Sequence, residues 1–322
     1  MKQKRLGRQT VVFEAPPRIA AGATIVGDME GAGPLGGYFD LILEDDTWGE
    51  DTWEKAERKM FEQTVRRALE RCAMQPAEID LLLGGDLLNQ IITANFAARE
   101  LAIPFLGLYG ACSTMAESLL LGSMLIDGGY AGHVACAATS HFSTAERQYR
   151  FPLEMGGQTT PTAQRTVTGA GSSLLVEAGY AGGAQFRHIF VTGGTIGRVV
   201  DLGITDANNM GAAMAPAAAD TLAAHLREQN RTVSDYDMIV TGDLGSFGSE
   251  MFNELCRDKG IDLSDRHRDC GNMIFDPAQK VDCGGSGCGC SAVTLNAFLL
   301  RRMEEGDFTP VSYTHLRAHE TE

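Results

Sequence analysis

"ALERCAMQPAEIDLLLGGDL", residues 68–87, and "HLREQNRTVSDYDMIVTGDL", residues 225–244, align at a constant offset of 157 residues. Leu69 falls on Leu226, Asp80 on Asp237, Gly85 on Gly242, Asp86 on Asp243 and Leu87 on Leu244. The offset holds through a helix, a turn, an apolar strand and the residues beyond it. Each copy then leads to a glycine-rich turn with a cysteine opening an apolar helix: "GACSTMAESLLLG" (110–122) in the first and "GGSGCGCSAVTLNAFLL" (284–300) in the second. One match at fixed spacing implies two related βα halves, not a long repeat array.

Around this pair the chain alternates helix and strand. Apolar positions Ala56, Met60, Phe61, Val65, Ala68 and Leu69 recur at helical spacing over 53–72, and 79–85 is a short apolar strand. A helix over 89–101, a strand over 104–110 and a buried helix opening at Cys112 follow, with Met115 and Met124 expected in the core. "HVACAATS" (133–140) reads as a buried strand, 166–183 as a strand or hairpin, and 207–229 as the opening helix of the second half. No Pro/Ser-rich linker separates the halves, so 1–200 and 201–310 are expected to share one core. "VSYTHLRAHETE" (311–322) is polar and lacks the strand pattern of the first half; it reads as a non-native tail, with the last strands missing and a sheet edge left open.

A net charge of −15 and no lysine/arginine block argue against nucleic acid and against direct attachment to anionic head groups. No stretch is long and apolar enough to span a membrane, and the start lacks a secretion signal, which points to the cytoplasm. The eight cysteines are therefore read as reduced thiols.

Duplicated halves with a cysteine between a strand and a buried helix resemble the ketoacyl synthases. The resemblance implies an α/β, thiolase-like fold whose two halves share one layered α/β/α/β/α core, with a nucleophilic cysteine at Cys112. A helix N-terminus suits a thiolate or a bound anion. Longer segments, among them "GPLGGYFD" (33–40), "GGDLLNQIITANFAAREL" (84–101), "IPFLGLYGACSTMAES" (103–118), "TSHFSTAERQYRFP" (139–152) and "GGSGCGCSAV" (284–293), resemble the stage V sporulation protein AD family of spore-forming Firmicutes. That resemblance implies binding of dipicolinic acid (pyridine-2,6-dicarboxylate) and its uptake into the developing spore. It also implies membrane-protein partners from the same operon, which would hold the protein at the forespore or spore inner membrane. A homodimer is expected from the fold, and no cofactor.

Condensing chemistry needs His and Asn, or two His, beside the thiol. "VTGDLGS" (240–246) carries Asp243 at the first of these places and "GGSGCGC" (284–290) has neither residue at the second. A carboxylate near a thiol raises its pKa. The reading is a non-catalytic binding protein; the alternative is an acyl-transferring or condensing enzyme with Cys112 as nucleophile. Dipicolinate, a flat aromatic dianion, needs N–H donors, a cation and an apolar slot. The candidate contacts are Cys112, His141, Arg147, Arg150, Asp86, Asn89 and Asp243, with Arg165 and Arg198 as weaker choices. The blander readings are a bend residue for Cys112, salt bridges for His141 and the arginines, and helix caps for Asp86, Asn89 and Asp243. His267, Cys270, Cys283, Cys288 and Cys290 lack paired CxxC knuckles, so no metal is expected.

Overall fold

The structure, a computed structural model, describes residues 4–149, 160–206, 208–263, 265–308 and 310–314. The first half contains β1 (Thr10–Val12), β2 (Arg18–Val26), α1 (Asp28–Gly31), β3 (Leu41–Ile42), α2 (Trp53–Glu70), β4 (Leu81–Gly85), α3 (Ile92–Leu101) and β5 (Phe105–Gly107). It continues with α4 (Thr114–Asp127), β6 (His133–Ser140), α5 (Phe142–Tyr149), β7 (Arg165–Thr166), β8 (Gly169–Val176) and β9 (Gly193–Thr195). The second half contains α6 (Met210–Gln229), β10 (Met238–Thr241), α7 (Gly245–Asp258), β11 (His267–Asp269), α8 (Cys270–Ile274), β12 (Gly285–Ser286), α9 (Cys288–Thr294), α10 (Leu300–Glu304) and β13 (Val311–Thr314). A π-helical stretch, Leu295–Leu299, joins α9 to α10.

Six strands in the order β3-β2-β8-β6-β4-β5 form the larger sheet, and β11-β10-β13 the smaller. The repeat is visible in how the two sheets are faced. In β4, Leu82 packs outward with Phe61 of α2 while Leu83 packs inward with Met115 of α4. In β10, Ile239 packs outward with Leu222 and Phe252 of α6 and α7 while Val240 faces the same inner cluster as Leu83. Leu82 and Ile239, like Leu83 and Val240, are separated by the sequence offset, so the period-2 alternation of a strand is conserved between the copies. The layers run α2/α3, large sheet, α4/α9, small sheet, α6/α7, the expected α/β/α/β/α order.

Backbone-close packing sets the middle layer. A Cβ on Gly171 would stand 2.5 Å from the Ala292 backbone, and one on Gly289 would stand 2.4 Å from the Gly169 carbonyl oxygen. Only glycines let α9 lie directly on β8.

Of the strand and hairpin readings of 166–183, the strand holds: β8 is one strand, antiparallel to both β2 and β6 and buried throughout, because each of its faces is covered by a helix. Two expectations change. Met115 is fully buried but Met124 is 38% exposed; nine residues at 100° each place them on opposite sides of α4. Val311–Thr314 does form a strand, parallel to β10 with Met238 opposite Val311, and the Asp237 N–H donates to the Pro310 carbonyl at its start. Residues 315–322 lie outside the described residues.

Candidate functional site

Between β5 and α4 the chain turns through Gly110 and Ala111, whose φ of 48° lies in the left-handed region that a Cβ disfavours. One 3-10 turn, Ala111–Ser113, then leads into the helix. The Ser113 hydroxyl donates to the Gly110 carbonyl and the Thr114 hydroxyl to the Ala111 carbonyl, both at 2.7 Å, fixing the strained turn. Cys112 stands in this turn half-buried, whereas Cys72, Cys136, Cys256, Cys270, Cys283, Cys288 and Cys290 are buried.

The start of α9 faces it. Gly287, with φ 98°, ends the glycine turn, and a Cβ there would stand 2.9 Å from the Ser140 hydroxyl. Asp243, directly after β10, accepts the Gly287 N–H at 2.9 Å and the Ser286 hydroxyl at 3.0 Å through one carboxylate oxygen. The Ser140 hydroxyl, at the end of β6, accepts the Gly289 N–H at 3.0 Å and donates to the Val167 carbonyl at 2.7 Å. Cys288 is pushed far above the usual thiol range by burial, then by the carboxylates of Asp86, Glu57 and Asp243. Cys290 is raised too, by burial and by Asp243 and other neighbours that include Cys112. The two cysteine turns, one from each half, therefore share one buried, carboxylate-rich neighbourhood.

The structure gives each sequence-derived candidate except Arg150 a definite place. Asp86, 1% exposed, accepts the Leu88 and Ala94 N–H groups at 2.7 Å each and so caps α3; burial raises its carboxyl to about 6. The Asn89 N–H donates to the Gln148 side-chain oxygen at 3.0 Å. His141 is fully buried, and both ring nitrogens are engaged: Nε2 donates to the Asp46 carbonyl at 2.7 Å and Nδ1 accepts the Ser143 N–H at 3.1 Å. An acceptor Nδ1 makes the ring neutral, and burial lowers its pKa. His141 thus positions a loop and supplies no cation. Arg147 pairs with Glu54 and lies over the Trp53 ring. Arg198 holds Asp220 through two N–H groups at 2.8 and 2.7 Å. Arg150 lies outside the described residues. The Asp86 contacts match a helix cap, while Asp243 joins two loops.

Two side chains that the sequence analysis passed over or ranked low stand out. Glu57, on α2, is fully buried; its Oε2 accepts the Thr144 hydroxyl at 2.7 Å and its Oε1 has no hydrogen-bond partner among the described residues. Burial and then the Asp86 charge raise its pKa well above the usual range. The signal was present in the sequence: position 57 lies three and four residues before Met60 and Phe61, on the apolar face of an amphipathic helix. Arg165, on β7, stacks its guanidinium 3.7 Å from the Phe142 ring centroid, and its Nε has no hydrogen-bond partner among the described residues. Glu30 and Glu146 lie near enough to hold its charge, against a burial that lowers its pKa. β7 runs parallel to β12, with Arg165 opposite Gly285, so this cation stands beside the same glycine turn.

Chemically, the arrangement offers a half-buried thiol at a helix start, hydroxyls from Ser140 and Ser286, and a stacked guanidinium. The carboxylate of Asp243 is spent on the glycine turn, and Cys288 is buried.

The family model described as Stage V sporulation protein AD (SpoVAD) matches residues 7–314. Stage V sporulation protein AD of Bacillus subtilis (strain 168) is 45% identical over 308 residues, spanning 96% of this chain and 89% of that protein. Among solved structures, an OleA variant of Xanthomonas campestris has a TM-score of 0.64 at 14% identity, spanning 95% of this chain and 94% of that one. Human mitochondrial 3-ketoacyl-CoA thiolase in complex with CoA has 0.60 at 14%, spanning 95% and 96%. 3-Oxoacyl-[acyl-carrier-protein] synthase III of Aquifex aeolicus VF5 has 0.57 at 14%, spanning 94% and 96%. The structural matches carry the fold and the sequence matches carry the family: this chain belongs to the Stage V sporulation protein AD family, built on the thiolase-like fold.

Proposed function

We propose that the protein binds dipicolinate at the start of its two central helices and serves in uptake of that dianion into the developing spore. The observation that carries the reading is Arg165 stacked on Phe142 beside the glycine turn. A guanidinium with an unbonded Nε can donate to a carboxylate, and an aromatic ring next to it matches a flat pyridine. Asp243 in place of a catalytic His or Asn favours a recognition site over a condensing one. Membrane proteins of the same operon are the proposed partners, placing the protein at the forespore or spore inner membrane. Among the described residues no helix is long and apolar enough to cross a membrane.

Calorimetric titration of dipicolinate into the protein tests this, with Arg165→Ala, Cys112→Ala and Arg150→Ala variants alongside. Saturable binding weakened about tenfold by Arg165→Ala is expected, since a charge-assisted hydrogen bond contributes roughly 1.5–3 kcal/mol. No binding by folded wild-type protein overturns the proposal.

A further inference from the structure

A second cation cluster lies away from the central helices. Arg5, Arg8, Gln9 and Val11 from the N-terminal segment and Ile196, Gly197 and Arg198 from beyond β9 line a cavity of about 400 Å³. Three of the seven lining residues are arginines, on a chain whose net charge is −15. We propose that this cavity binds a phosphate group, presented either as a free phosphate compound or as a lipid head group.

The walls are built, although the arginines are exposed. β1 pairs antiparallel with β9, bringing residues nearly two hundred positions apart into register. Glu228, at the end of α6, accepts the N–H groups of Arg8, Gln9 and Thr10 at 3.0, 3.0 and 2.8 Å, and these hold its carboxyl down to about 2. Gly7 is required for that clamp, because a Cβ there would stand 2.3 Å from the Glu228 carboxyl carbon. The Gln9 amide donates to the Ile196 carbonyl at 3.0 Å, closing one side.

The guanidinium groups keep donors in hand. Arg5 uses one N–H group on the Arg8 carbonyl at 2.8 Å, which leaves the rest of its fork. Arg198 is oriented by its two bonds to Asp220 and keeps Nη1. The Arg8 side chain makes no hydrogen bond among the described residues. Asp220 and Glu228 offset part of the positive charge, and the bonds they make orient the wall. A planar carboxylate satisfies one such fork, whereas a tetrahedral phosphate presents oxygens in several directions to several forks at once. The volume lies in the range of small-molecule sites.

Two titrations test the assignment: inorganic phosphate by calorimetry, and co-sedimentation with phosphatidylglycerol vesicles against phosphatidylcholine vesicles. Both use wild type, Arg5→Ala/Arg8→Ala, Arg5→Lys/Arg8→Lys and, as a control, Arg99→Ala, an exposed arginine on α3 that pairs with Glu100 and does not line the cavity. Phosphate binding weakened at least tenfold by the alanine pair, partly kept by the lysine pair and unchanged by Arg99→Ala supports a free phosphate ligand. Sedimentation with phosphatidylglycerol alone, lost in the alanine pair, supports a lipid phosphate. Binding equal in all four proteins, or none to either probe, overturns the proposal. Arg5→Ala/Arg8→Ala should leave the dipicolinate titration unchanged, which separates this cavity from the dipicolinate site.

Discussion

Asp243 Oδ2 accepts the Gly287 N–H at 2.9 Å, joining the loop after β10 to the turn that opens α9, and Ser286 adds its hydroxyl to the same oxygen at 3.0 Å. A carboxylate at a helix start satisfies an N–H the helix leaves open and favours the positive end of its dipole. In the first half Asp86 occupies the matching position, yet caps its own α3. In the second half the local task falls to Asp269, which accepts the Leu244 and Gly245 N–H groups at 2.8 and 3.0 Å. With its local role taken over, Asp243 reaches across to the central layer.

Asp243→Ala should leave the buried Gly287 N–H without an acceptor and cost about 1–3 kcal/mol of stability in urea unfolding. Asp243→Asn keeps an acceptor oxygen and should cost less. Equal losses in the two variants would mean that the contact across the loops contributes nothing of its own.

Cys112 is half-buried and the other seven cysteines are buried, so a brief pulse of iodoacetamide on the folded protein should modify the 112 thiol first. Peptide mass spectrometry reads the site. Saturating dipicolinate should slow that labelling by roughly tenfold if the ligand stands beside the turn. Labelling spread evenly over several cysteines would show that the buried thiols open as readily as this one.

Leu82 with Leu83, and Ile239 with Val240, show why the fold was legible. Each pair alternates between an outer helical layer and the central one, and alternation with a fixed offset can be read without any tertiary knowledge. β8 was harder, because a fully buried strand carries no alternation and its glycines left strand and hairpin equally open. The site was less legible still. Arg165 depends on Phe142 and on a turn more than a hundred residues away, and the tautomer of His141, with its proton on Nε2, is fixed by a backbone carbonyl at Asp46. Pairings of that kind leave no trace in local spacing.

β5 is the edge of the larger sheet, only three residues long, with Leu106 54% exposed and Phe96 of the neighbouring α3 45% exposed. An open edge with apolar flanks can pair with its own copy about a two-fold axis. Light scattering should therefore give a dimer, and Leu106→Arg should convert it to monomer without changing the far-ultraviolet dichroism. A monomeric wild type at tens of micromolar would remove the edge as a self-association surface.

Glu57 and Asp86 are two buried carboxyls with hydrogen-bond donors but no cation bonded to either. Both are raised in the folded protein, Asp86 to about 6 from 3.8 and Glu57 well above 4.5, chiefly by burial. Above the ordinary carboxylate range the unfolded chain has released these protons while the folded one still holds them. Their contribution to stability is complete below about pH 4 and is lost as pH rises through about 6 and beyond. Glu57→Gln keeps an oxygen for the Thr144 hydroxyl and removes the proton linkage. Relative to wild type, this variant should gain on the order of 1 kcal/mol or more at pH 8, with little or no gain at pH 5. Asp269 and Glu30, each raised to about 7, slope the same way in both proteins, so the difference between the two urea curves isolates Glu57 together with the Asp86 carboxyl that feels its charge. The same difference at both pH values would mean that Glu57 holds one protonation state throughout, and that its unbonded Oε1 is a packing defect rather than a titrating group.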